Sequence, residues 1–205
     1  MFAVIFEVRP KADRWEQYLG LARQLRPELE RIDGFIENER FRSQRTEGRL
    51  LSLSIWADEK AVIRWRTHAM HHGVQEQGRF EVFEDYHLRV GEITADTQLP
   101  PGRTLMQLRF DVTEVGAAKV VSIADGNELP PAPDGAHDAE AYQSITTPGK
   151  QLLLVSWRDA ASADEWRPPP SARYRSVRVI RDYGLQDRRE APQFYPAVAP
   201  KAAAR

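Results

Sequence analysis

Hydrophobic and polar positions alternate from the start of the chain. Phe2, Val4, Phe6 and Val8 fall on one face of a period-two segment, which predicts a strand over 2–8. The period then lengthens. Trp15, Leu19, Ala22, Leu25 and Leu29 recur at three and four, predicting a helix over 12–32. Pro27 lies inside it and predicts a kink or break, since it lacks the backbone donor a helix needs. Asp33 and Gly34 end the helix, glycine being favoured just past a helix terminus. Residues 35–43 and 49–57 read as an antiparallel pair around Glu47 and Gly48. Asp58 and Glu59 can cap a second helix over 58–77, closed by Gly78. Alternation returns over 79–93, with Phe80, Val82, Tyr86, Leu88 and Val90 on one face. This order, strand–helix–strand–strand–helix–strand, predicts a ferredoxin-like unit with two helices on one face of an antiparallel sheet.

The pattern then recurs. Setting each residue against the one 101 positions later pairs Gly34 with Gly135, Leu51 with Leu152, Trp56 with Trp157, Asp58 with Asp159 and Trp65 with Trp166. Upstream the offset becomes 104 and pairs Phe6-Glu7-Val8 with Phe110-Asp111-Val112. Downstream it becomes 97 and pairs Asp85-Tyr86 with Asp182-Tyr183. The expected class is therefore α+β: two tandem βαββαβ units over 1–98 and 99–189, packed sheet to sheet as an intramolecular pseudo-dimer. A Pro- and Ala-rich, irregular tail over 190–205 follows. The second unit reads as degenerate. Pro168, Pro169 and Pro170 stop its second helix after about two turns, and its first helix gives way near Asn127–Pro131. Any site is expected in the first half.

Composition narrows the chemistry. The 205 residues carry 29 Lys and Arg against 30 Asp and Glu, a net charge of −1 that argues against nucleic acid as a partner. With 41% hydrophobic and 29% charged residues, the chain has the make-up of a globular protein. There are no cysteines, so disulfides, thiolate catalysis and Cys-ligated metals are excluded. The apolar start meets Arg9 and Pro10 too soon for a signal peptide, and no stretch approaches the ~18 apolar residues of a spanning helix. The expectation is a cytoplasmic protein without a membrane partner. Of 14 prolines, only Pro10 and Pro27 precede residue 99, whereas four of the five histidines (His68, His71, His72, His87) do.

The first half resembles the antibiotic-biosynthesis monooxygenase family of dimeric α/β-barrels. The resemblance is carried by AVIFEV at 3–8, IDGFIENERF at 32–41, LLSLSIWADEKAVIRWRTHAMHHGVQEQGRF at 50–80 and FEDYHLRV at 83–90. LLLVSWRDAASADEWR at 152–167 and VIRDYGL at 179–185 extend it more weakly into the second half. The resemblance implies oxygenation of a small aromatic or quinone-like molecule by dioxygen, with no bound cofactor. A phenol or anthrone loses a proton, its anion passes an electron to dioxygen, and the radical pair recombines. It also implies catalytic roles for Trp65, at the position of a pocket tryptophan, and for His71, about two turns further on. Three features of the haem-degrading and polyketide branches are not matched: Phe6 and Glu7 stand at the strand-one asparagine, Gln75 at the iron-ligating histidine, and Ala61 at the asparagine before the tryptophan.

Residue chemistry completes the candidate set. His71 titrates near neutrality and suits a base or anion partner. Gln75 shares its helix face and can hydrogen-bond substrate. Phe83, Asp85, His87 and Arg89 are expected together on the strand face opposite Tyr86, as a substrate-binding or inter-domain polar set. His68 and His72 stand at i and i+4, a spacing open to a metal, but Ala69 replaces the glutamate of the zinc-protease motif, and no metal is expected. The leading expectation is a monooxygenase. Its alternatives are a barrel that holds a small ligand without turnover, or a haem-related role. Exposed strand edges would favour a homodimer.

Overall fold

The alternating segments become eight strands that close on themselves. In a computed structural model describing residues 1–192, strand β1 (Phe2–Pro10) leads through a short 3₁₀ turn to helix α1 (Trp15–Glu30). Strands β2 (Phe35–Ser43) and β3 (Leu50–Trp56) follow, then helices α2 (Glu59–Arg66) and α3 (Ala69–Gln77) and strand β4 (Phe83–Asp96). The second half supplies β5 (Val120–Gly126), β6 (Asp138–Ser144), β7 (Gln151–Trp157), α4 (Ala160–Glu165) and β8 (Arg173–Gly184). Residues from 193 on, most of the tail expected to be irregular, lie outside the described residues. Among the described residues, no helix is long and apolar enough to cross a membrane.

The strands form one closed barrel in the order β1-β3-β2-β6-β7-β5-β8-β4. The inner faces of both halves meet in one core. The halves join edge to edge, through β2 on β6 and β4 on β8, and both seams are antiparallel. Strand edges that would otherwise be unpaired meet each other along these two seams. Alternate residues then separate inside from outside. Ala3, Ile5, Phe41, Leu53, Val121, Ile123, Leu154 and Val177 fill the lumen. Phe2, Val4, Phe6 and Val8 face outward, toward the helices.

Several local expectations are corrected. Pro27 neither breaks nor ends α1, which runs on to Glu30. It removes one donor, but packing of Leu29 with Phe2 and Trp56 holds the last turn. The predicted 58–77 helix is interrupted at Thr67–His68, where His68 adopts an extended backbone (ψ 128°). Asp58 caps its start by accepting a hydrogen bond from the Ala61 amide (2.8 Å). Residues 78–82 form a π-helical turn, so strand β4 begins only at Phe83. In the barrel β5 lies between β7 and β8 as β1 lies between β3 and β4, whereas residues 110–112, expected to match β1, are not in a strand. That segment is tied down by side chains. Glu92 accepts from the Leu108 amide (2.6 Å), and Arg109 binds Glu59 (2.6 Å) and Asp111. Downstream, Asp182 is the cross-strand neighbour of Arg89.

A buried polar chain crosses the lumen between the halves. Glu7 accepts from Arg89 Nη2 (2.5 Å) and from the Tyr142 hydroxyl (2.6 Å), while Arg89 Nη1 donates to Ser156 (2.8 Å). Burial alone would raise the Glu7 carboxyl pKa. Arg89 and the Tyr142 hydrogen bond outweigh it and hold the carboxyl below its ordinary range. A carboxylate so held stabilises the fold above pH ~4.5, and that stabilisation is lost as pH falls through the lower folded value. Glu7→Gln should cost about 3–5 kcal/mol at neutral pH, because it strands the buried Arg89 charge. It should also flatten the loss of stability below pH ~4.5, as read from urea midpoints across a pH series.

Candidate active site

Helices α1, α2 and α3 cover the outer face of β1–β4 without sealing it. A cleft of about 210 Å³ remains between them and the sheet. Two local choices keep it open. On the sheet, Asn38, Ser52 and Ser54 occupy outward positions where bulky apolar residues would close the gap. Asn38 Nδ2 donates to Ser52 Oγ and to the Leu53 carbonyl (3.0 Å each), which makes a polar floor. Above it, the break at Thr67–His68 separates α2 from α3. The walls are apolar: Phe6, Phe83 and Tyr86 pack with ring centroids 5.6–6.0 Å apart.

The helix break also sets the state of His71. Where α2 ends, the Trp65 carbonyl accepts from the His68 amide (3.2 Å) and also from His71 Nδ1 (2.9 Å). A carbonyl can only accept, so Nδ1 carries the ring proton and Nε2 keeps its lone pair. The imidazole lies flat on the Trp65 indole, with centroids 4.1 Å and planes 13° apart. Burial penalises the imidazolium, with lesser contributions from His68 and His72, and the pKa falls to about 4. At neutral pH the cleft therefore holds a neutral, oriented base. The Gln75 amide lies 3.5 Å from its Nε2.

The predicted site residues divide between two places. Trp65, His71, Gln75 and Phe83 line the cleft. Asp85, His87 and Arg89 do not; they face a separate polar pocket of about 700 Å³ at one mouth of the barrel. A register shift between Arg9 and Pro10 causes the split. Arg9 pairs with Asp85 and Pro10 with Phe83, so Glu84 is bulged out and the Phe83 ring turns to the cleft side. In the barrel mouth, His87 Nε2 lies 2.6 Å from Asp182 and its Nδ1 3.7 Å from Glu7, linking the two halves.

Other cleft residues escape a reading of the sequence. Tyr183, Arg188 and Pro192 reach it from the second half, so the site is not confined to the first. Arg188 donates to the Tyr86 hydroxyl (2.5 Å). Asn38, Ser52 and Ser54 carried a usable signal, being polar residues on the strand face expected to be buried. Tyr183 and Arg188 carried none, since only closure brings them there. His68 lies 3.7 Å from Glu28 and His72 4.0 Å from Glu76. Among the described residues, no group of three His, Asp or Glu is arranged to hold a metal ion.

The family model described as antibiotic biosynthesis monooxygenase matches residues 1–77. A protein named jasmonate monooxygenase ABM, from Pyricularia oryzae, is 45% identical over 96% of this chain and 99% of its own length. The chain belongs to the antibiotic biosynthesis monooxygenase family. Among solved structures, an aldoxime dehydratase in complex with butyraldoxime shares the fold: TM-score 0.56 at 11% identity, covering 91% of this chain and 80% of that one. A crystal structure of an antibiotic biosynthesis monooxygenase, 16% identical, covers 46% of this chain and all of its own, with a TM-score of 0.42. For this family member the state of His71 is directly measurable. Its folded pKa lies below the unfolded value near 6.5, so the unfolded chain binds more protons between pH 6.5 and 4, and stability falls on acidification across that window. The full difference amounts to about 3 kcal/mol. Nitrogen-15 spectra should show the Nδ1–H tautomer down to about pH 4, and His71→Phe should remove that part of the slope.

Proposed function

We propose that this chain is a monooxygenase whose substrate, a small and largely apolar molecule, binds in the cleft between the sheet and α1–α3 with His71 Nε2 as its base. One observation carries the reading: a neutral imidazole, fixed by the Trp65 carbonyl and ring, stands in an apolar cleft with its lone pair unprotonated. Such a group accepts a proton from an acidic O–H or enolisable C–H, leaving an anion that can reduce dioxygen. The water-poor walls protect the radical pair that results. Gln75 and Asn38 are placed to orient a carbonyl or hydroxyl. The name of the Pyricularia relative supports a jasmonate-like substrate, a small ketone carrying a carboxylate. An aromatic or quinone-like substrate is the second arm of the test. The two halves place their strands in the same internal order in the barrel, which supports reading the chain as two related units.

Electron balance separates the reaction types. Oxidation of an activated methylene by dioxygen gives a carbonyl and water and balances alone. Hydroxylation of a C–H bond gives an alcohol and water only if a donor adds two electrons. Dioxygen uptake should be followed with jasmonate and with an anthrone, each with and without reduced nicotinamide. Uptake above background is expected with one of them, falling about 100-fold or more in His71→Ala and less in Trp65→Phe. No uptake in any arm, or equal rates in both variants and the wild type, would overturn the reading.

A further inference from the structure

Four arginines line the cleft, and Arg79 and Arg188 stand out among them. Arg40, Arg66, Arg79 and Arg188 line it, and among the described residues Glu76 is the one carboxylate that does so. The contrast with the rest of the molecule is sharp. Arg89, Arg109, Arg173, Arg175 and Arg178, all half-buried or buried, each hold a carboxylate. Arg79 and Arg188 hold none among the described residues. Arg79 lies over the Phe80 ring (5.4 Å), and its buried Nε has no hydrogen-bond partner. Arg188 lies over Tyr183 (5.8 Å) and donates to the Tyr86 hydroxyl. The two come from distant parts of the chain, the π-helical turn after α3 and the loop after β8, yet both bear on Tyr86, whose hydroxyl feels the charge of each. Two cations, Arg79 and Arg188, held in a partly desolvated cleft with no carboxylate partner among the described residues, cost free energy unless an anion joins them. The planar guanidinium fork matches a carboxylate in particular.

We propose that Arg79 and Arg188, beside the Tyr86 hydroxyl, form a carboxylate clamp that selects monocarboxylic acids with an apolar body for this cleft. The assignment deepens the monooxygenase reading by naming the substrate's charged end. His71, Gln75 and Arg79 succeed one another at intervals of four, so the clamp stands roughly 12 Å along the helix direction from the base. The carboxylate is thus anchored away from the proton-accepting nitrogen, and the apolar body spans the Phe6 and Phe83 walls between them. The second half contributes Arg188, so recognition depends on barrel closure.

The test is binding without turnover: calorimetric titration of jasmonate and of its methyl ester under anaerobic conditions. The acid should bind the wild type at least tenfold more tightly than the ester. Arg79→Met and Arg188→Met should each weaken the acid by roughly 10- to 100-fold while leaving ester affinity unchanged, which also reports an intact fold. Arg188→Lys should restore part of the loss. Equal affinity for acid and ester, or acid binding indifferent to both substitutions, would overturn the clamp. A clamp that binds acid in a protein with no dioxygen uptake removes the enzymatic reading alone. Dioxygen uptake with the acid whose KM neither substitution raises removes the clamp alone.

Discussion

Closure of the barrel is the constraint on which the rest depends. A four-stranded sheet with helices on one face exposes the other, and here that face carries Ala3, Ile5, Leu53 and Phe41. The second half meets this need by completing a ring of strands, so the inner faces of both halves become one lumen. Closure has an electrostatic condition too. Glu7 and Arg89 of the first half and Tyr142 and Ser156 of the second satisfy one another at a depth where an unpaired charge would be costly. The seam beside it repeats the device: Glu140, buried from β6, is held by Ser43, Arg45 and Arg49. These pairs fix which strands meet and in what register, a task apolar packing alone leaves loosely defined.

The two halves then diverge on the outside. Over β1–β4, the broken helix pair and the small polar residues of the sheet leave a cleft. Over β5–β8, α4 has only six residues before the chain reaches its proline run, and Trp166 packs on Trp157 at 6.1 Å. Leu129, Ala136, Ala139 and Ala141 join the Trp157 cluster. The matching tryptophans therefore sit in different settings. Trp65 is a platform for His71, whereas Trp166 is packing against a neighbour.

Much of this was legible in advance. Period-two and period-three-to-four patterns located all four strands of the first half and, to within about three residues, the starts of α1 and α2. Repeated tryptophans marked β3 and β7. Breaks in the local pattern were not legible. The extended backbone at His68 follows no glycine or proline, yet it ends α2 where the Trp65 carbonyl takes His71 Nδ1 as a second donor. The bulge at Glu84 is equally silent in composition, yet it sends Phe83 to the cleft and leaves Asp85, His87 and Arg89 in the barrel mouth. Residues 105–112 alternate like a strand, but the Glu92 carboxylate takes two of their amides and the segment becomes a strap. Periodicity reports what a segment can pair with. It does not report which partner reaches it first.

The base and the arginines answer each other electrostatically. An imidazole whose pKa is near 4 is a poor resting place for a proton, and burial is the largest cause. In the empty cleft, protonation would add a cation to a space already lined by arginines. An anionic substrate changes that balance at both ends. Its carboxylate neutralises guanidinium charge at the clamp, and the anion formed on deprotonation lies beside the new imidazolium, so the two charges appear as a pair. The base is therefore strengthened by the ligand it is proposed to serve and stays weak without it. Proton abstraction is confined to the occupied cleft, where dioxygen would find a reduced partner already enclosed.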